Sequence, residues 1–138
     1  MSRQQDFRTQ NCAESHARTR FLAAEKFLEV AKLIKGEQGD AFRSVVASLA
    51  VLAGIAASDA ACCKALGRRS RAESHHDAER LLERITPGGE EAAVALRRLI
   101  DLKDKAHYGF IHASHDDLKT AMRQAERLVM FADEVLRL

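Results

Sequence analysis

"DAFRSVVASLAVLAGIAASDAACCKALG", Asp40 to Gly67, is apolar on nearly every side of a helix, and a helix of that kind has to be surrounded by others. Its many Ala, Ser and Gly side chains let neighbouring backbones come close, so the stretch is expected at the centre of a bundle, or of a dimer. Asp40 is a suitable N-cap, and Gly67 suits a left-handed position just past the C-terminus. The most apolar part, Val45 to Ala57, is 13 residues long. It would span roughly 20 Å against a hydrocarbon thickness of about 30 Å. Arg43 and Asp59 close its flanks, so a buried core helix is expected and no membrane partner. Asp59, near the mouth of the apolar run, reads as a partnered or solvated carboxylate, with a buried functional acid as the alternative.

The flanking segments supply the surround. Before it, "FLAAEKFLEVAKLI" sets Phe21, Ala24, Phe27, Leu28, Ala31 and Ile34 on one face of a helix that begins near Glu14 and ends at Gly36 and Gly39. After it, Ser74 with Asp77 three positions on starts a short helix carrying Ala78, Leu81, Leu82 and Ile85. Thr86, Pro87, Gly88 and Gly89 break that helix. A fourth opens on Glu90 and Glu91, acids favoured at a helix N-terminus, and runs through Leu96, Leu99 and Ile100 to Gly109. A fifth starts at Ser114 with Asp117 and repeats Leu118, Met122, Ala125, Val129, Ala132 and Leu136 in steps of four and three. Short loops between long helices demand antiparallel neighbours. The expected fold is all-α, an antiparallel up-and-down four-helix bundle with the short third helix as an accessory. Residues 1–13 lack a clear period and are expected to fray; residues 14–138 form one domain.

With 138 residues, 46% hydrophobic and 30% charged, with one Pro and no Trp, the chain has the length and composition of a single helix-rich domain. The net charge of +2 is too small to point to nucleic acid by itself. Its distribution is uneven: residues 1–69 hold 11 basic and 7 acidic side chains, residues 70–138 hold 11 and 13. The sharpest feature is "KALGRRSR", with Lys64, Arg68, Arg69 and Arg71 and no acid. It could contact phosphate, or form a solvated loop between helices. Cys12, Cys62 and Cys63 have no framework spacing, so three free thiols and a reducing, cytoplasmic setting are expected. Adjacent Cys62 and Cys63 point about 100° apart on a helix, so no metal site is expected, and no cofactor. No basic segment followed by an apolar run opens the chain, so no signal peptide is expected.

"LIDLKDKAHYG", Leu99 to Gly109, puts Lys103 and His107 on the apolar stripe at i and i+4. Either the helix leaves the core at its last turn and Lys103 snorkels to water, or Lys103, His107 and Tyr108 line a cleft. Metal-free RNA cleavage needs a base near neutral pKa and a cation for the charged phosphorane, roles open to His107 and Lys103. Lysine brings a point charge in place of arginine's fork.

From Arg18 to Leu136 the chain resembles the HEPN domain family. The resemblance is carried by "RFLAAEKFLEVAKLIKG", by the long Ala-rich second helix, by "GRRSRAESHH", and by "LKDKAHYG" followed by "QAERLVMFADEVL". It implies a helical bundle, frequent dimerisation, and roles around RNA or nucleotides, including metal-independent ribonucleases of toxin-antitoxin and defence systems. A nucleotidyltransferase-like partner protein is implied as well. A family subgroup reads Leu-Arg-x-x-Ala-Asp-Tyr at the end of the fourth helix; here Lys103 stands for the Arg and His107 for the acid. The family's ribonucleases place an Arg four to six residues before a His. Arg71 with His76 and Arg69 with His75 satisfy that spacing, across a loop and a helix N-terminus. The leading expectation is an RNA- or nucleotide-binding module without strong catalysis, through Lys64, Arg68, Arg69 and Arg71. Next comes a helical homodimer acting as an interaction protein, and then a ribonuclease with a composite site at a two-fold axis.

Overall fold

The computed structural model describes residues 9–71, 75–108 and 111–138, with the side chains of 75 and 104–108 set aside. Among the described residues the chain is mostly helical. Five helices, α1 (Glu14–Ile34), α2 (Asp40–Leu66), α3 (His75–Glu83), α4 (Gly89–Tyr108) and α5 (His115–Leu136), are joined by a two-stranded sheet of β1 (Thr9–Asn11) and β2 (Arg68–Ser70). α2 packs against α1, α4 and α5, and α3 leans mainly on α4. α2 is long and apolar enough to cross a membrane by length and composition, but 67% of its most apolar window is buried inside the protein. It is the core helix.

Small side chains make that position possible. Ala47, Ala50, Ala53, Ala56, Ala57, Ala60 and Ala61 are all buried. At Gly54 a Cβ atom would lie 2.2 Å from Leu99 Cδ1 and 3.1 Å from Leu128 Cδ1, so α4 and α5 meet α2 across the missing side chain. Leu81, Leu82, Leu96, Leu99 and Leu128 fill the remaining volume. Each fully buried leucine contributes about 1.5–3 kcal/mol of transfer free energy.

The helix ends follow local chemistry. Gly67 ends α2 at φ 70° and its N–H donates to Cys63 O, the left-handed C-terminal position that a side chain would strain. Ser114 accepts from the Asp117 N–H while the Asp117 carboxylate accepts from the Ser114 N–H, a reciprocal capping box. Asp40 is not the N-cap of α2: Gly39 occupies that position. Asp40 lies in the first turn and pairs with Arg43 instead, where its charge still suits the helix dipole.

Three further expectations are corrected. Residues 9–11 do not fray: Thr9, Gln10 and Asn11 pair antiparallel with Ser70, Arg69 and Arg68. A three-residue strand is too short to show a period. The buried face of α5 is Ala121, Gln124, Ala125, Leu128, Ala132 and Val135; Leu118, Met122 and Val129 only flank it. Apolar residues cover a broad arc of this helix, and the tight approach to α2 selects the Ala-rich part of that arc. It carries in Gln124, whose Oε1 has no hydrogen-bond partner.

The third correction concerns the thiols. Cys12 and Cys63 are joined in a disulfide that closes 51 residues of sequence, and Cys62 alone is free and buried. Burial pushes the Cys62 thiol far above its ordinary value, and nearby Asp59 adds to the effect. Unreduced native protein should therefore show no fast-reacting thiol toward a disulfide reagent. One thiol should appear on unfolding, and three after prior reduction. A fast thiol in the native, unreduced protein would exclude the Cys12–Cys63 pairing, because Cys12 is the more accessible of the two.

Candidate functional site

The basic segment Lys64 to Arg71 is not a loose loop. Gly67 turns the chain back from the end of α2 into β2, and β1 holds it there. Successive strand side chains alternate between faces, so Arg68 and Arg69 part company. Arg68 stays exposed and its guanidinium forks around β1: Nε donates to Thr9 Oγ1 at 2.8 Å, and Nη1 to Asn11 Oδ1 at 2.8 Å. Arg69 is half-buried, and donates from Nη2 to Gln10 Oε1 at 3.2 Å. All three side-chain acceptors are neutral, so these bonds orient the guanidinium groups without cancelling their charge. Lys64 differs. Its Nζ sits 3.2 Å from Glu14 Oε2, and that contact is the main reason the Glu14 carboxyl lies below its ordinary value.

Beneath β2, Arg20 of α1 reaches Asp59 of α2, Nη2 to Oδ2 at 3.2 Å. Asp59 is the better hidden of the two, with its side chain 14% exposed against 38% for Arg20. Burial raises the Asp59 carboxyl above its ordinary 3.8, with Arg20 and then Arg69 pulling the other way. Two cavities meet at Asp59 and Arg69. The outer one, about 410 Å³, is also lined by His16, Thr19, Arg20 and Asn11. The inner one, about 100 Å³, is lined by Ser58, Ser70 and Arg71 as well. Arg20 and Arg69 thus converge on one carboxylate at the corner where α1, α2 and the small sheet meet, and Arg71 lines the inner cavity beside it. Such a corner can hold an anion through guanidinium groups while the carboxylate accepts from a hydroxyl or amine.

The remaining sequence candidates divide. His76 is 86% exposed, lies 3.9 Å from Glu79 and is not among the residues lining either cavity. Lys103 is half-buried on α4. His75, His107 and Tyr108 lie on helices, but their side chains fall outside the described residues, and so does the proposed Lys103–His107–Tyr108 cleft. Among the described residues no group of three His, Cys, Asp or Glu could hold a metal ion.

Sequence reading missed Arg20, which looks like one of several solvent-facing charges on α1. It also missed a second polar cluster toward the other end of α2, about 24 Å along the helix from Asp59. There Arg43 Nε donates to Ala113 O at 2.7 Å and the Ala113 N–H donates to Ser44 Oγ at 2.9 Å. His115 Nε2 lies 3.5 Å from Arg43 Nη1, and His112 Nδ1 lies 3.4 Å from Ser44 Oγ. These contacts fasten the start of α5 to the start of α2. Residues about 70 positions apart in sequence carry no local signal for such a meeting.

The chain matches no protein-family model and no curated protein.

Proposed function

We propose that this chain is a HEPN-like module that binds RNA or nucleotides without strong catalysis, and that α1, α2, α4 and α5 make an antiparallel four-helix bundle with α3 as an accessory. The observation carrying the functional reading is the ordered corner of Arg20, Arg68, Arg69 and Arg71. Arginine forks suit phosphate oxygens; here Arg20, Arg69 and Arg71 line cavities while Arg68 is exposed on β2. Lys103 in place of arginine favours binding over cleavage.

Fluorescence anisotropy with a labelled single-stranded oligoribonucleotide tests this. Replacing Arg68, Arg69 and Arg71 together by Gln is expected to weaken binding more than about tenfold at low salt. It should also flatten the slope of log affinity against log salt by roughly 2, about 0.7 for each lost phosphate contact on a single strand. Lys64→Gln is expected to do less, because Glu14 already occupies that charge. Binding that ignores salt and survives the triple substitution would overturn the reading.

A second reading has its own observation. Phe42, Val45 and Leu52 are exposed along α2, and with half-buried Leu49 they follow helical spacing on one face. An apolar stripe of that kind suits a homodimer contact.

A further inference from the structure

We infer that β1 is a built-in occupant of the phosphate site on Arg68 and Arg69, and that the Cys12–Cys63 disulfide is the latch that keeps it there. The inference rests on the RNA- or nucleotide-binding reading and names how that site is regulated.

Three observations converge on it. First, β1 supplies the Arg68 and Arg69 guanidinium groups with oxygen acceptors. Thr9 Oγ1 takes the Nε–Nη2 edge of Arg68 and Asn11 Oδ1 takes Nη1 at 2.8 Å, so the two edges through which a guanidinium grips a phosphate are both engaged. Gln10 Oε1 accepts from Arg69 at 3.2 Å. A phosphate bound there has to displace them. A neutral acceptor gives a weaker bond than a charged one, so β1 is displaceable where a carboxylate would not be.

Second, β1 has little else to hold it. Among the described residues, its contacts beyond those arginine side chains are the short ladder with β2, the Cys12 N–H donating to Gly67 O at 3.0 Å, and the disulfide. Thr9 is half-buried, and Gln10 and Asn11 are exposed, so almost no apolar burial opposes its release. An isolated two-stranded pairing of this length is marginal in water. The covalent bond to buried Cys63 adds a second tether to the backbone link through Cys12 and Ala13 into α1, and so holds the acceptors at high effective concentration over the arginines.

Third, Cys12 is the accessible end of the latch. Cys12 is half-buried while Cys63 is buried, so a thiolate from solvent reaches the Cys12 sulfur first. With a small dithiol as reductant, its thiolate attacks Cys12 Sγ, the Cys12–Cys63 bond breaks, and Cys63 leaves as a thiolate that takes up a proton. The second thiol, as thiolate, then attacks the dithiol's own sulfur in the mixed disulfide and expels Cys12. Two protein thiols and one cyclic disulfide result, a balanced two-electron exchange. In a reducing cytoplasm β1 is then free to lift and the arginines are open; an oxidant closes them.

The test compares the full chain, oxidised and after treatment with dithiothreitol, for binding of the same labelled oligoribonucleotide. Hydrogen exchange at the Cys12 amide and across β1 is followed in parallel. Reduction is expected to tighten binding by roughly tenfold, the factor that applies if the latched site is open about one time in ten, and to speed exchange in β1 while leaving α2 protected. Cys12→Ser should behave as the reduced protein under both conditions. Thr9→Ala with Asn11→Ala should tighten binding of the oxidised protein. Equal affinity in the two redox states with measurable, arginine-dependent binding would overturn the latch and leave the binding reading standing. Unchanged exchange in β1 on reduction would also overturn it, whether or not RNA binds. Absence of RNA binding in both states would remove both proposals.

Discussion

Gly54→Val is expected to destabilise the protein by about 2–3 kcal/mol, the range for extra methyl groups forced into a packed interior. A Cβ at this position would lie 2.2 Å from Leu99 Cδ1 and 3.1 Å from Leu128 Cδ1. Both leucines are fully buried, so neither can swing into solvent to make room. α2 must move away from α4 and α5, or both leucines must leave their rotamers. The helix-propensity gain over glycine offsets only a few tenths of a kcal/mol. Urea denaturation of Gly54→Val beside Gly36→Ala supplies the comparison, because Gly36 has nothing within 4 Å of its would-be Cβ. Equal midpoints for the two variants would show that the close approach at Gly54 does not hold in solution.

Arg20→Ala has the second largest expected effect, and it depends on pH. The substitution leaves the Asp59 carboxylate hidden without its partner at 3.2 Å. Arg20 is partly exposed, so the loss is discounted from the several kcal/mol typical of a broken buried pair to about 1–2 kcal/mol. The folded-state Asp59 carboxyl already lies above its ordinary 3.8 because of burial. A raised carboxyl binds its proton more tightly in the folded state, so its contribution is most favourable at low pH. That contribution is lost as pH rises from the ordinary value through the folded one. Removing Arg20 takes away the larger of the two opposing influences, raises the folded value further and extends that window upward. The deficit of Arg20→Ala should therefore be smaller at a pH near the ordinary carboxyl value of 3.8 than at neutral pH. Adding Asp59→Asn should abolish the pH dependence, because the amide does not titrate. A deficit that is the same at both pH values would mean that Arg20 acts through packing alone.

The corner that carries the proposed function was half visible in the chain. Lys64, Arg68, Arg69 and Arg71 stand out as a basic run with no acid, and Gly67 before them marks the end of a helix. Their division into roles was not visible. Glu14 engages Lys64 across 50 positions, Arg20 and Asp59 meet across 39, and β1 reaches Arg68 across nearly 60. None of these meetings leaves a periodic trace, because each depends on where two separately formed elements come to rest. The cysteines carry the same lesson. Spacing alone gives no pairing for residues 12, 62 and 63, whereas the fold brings the Cα atoms of Cys12 and Cys63 to 5.6 Å.

What the chain determined by itself is local. Amphipathic period, Ser114 with Asp117, and Gly67 at its left-handed turn set five helices and most of their ends, since each rests on contacts within one or two turns. The all-round apolar character of Asp40 to Leu66 also required that α2 be enclosed. Tertiary structure decided the rest: which arc of α5 faces α2, which arginine turns inward to Asp59, and that residues 9–11 form a strand. Those outcomes depend on close approach at Gly54 and on pairing between distant segments. Their energies exist only once the helices have packed.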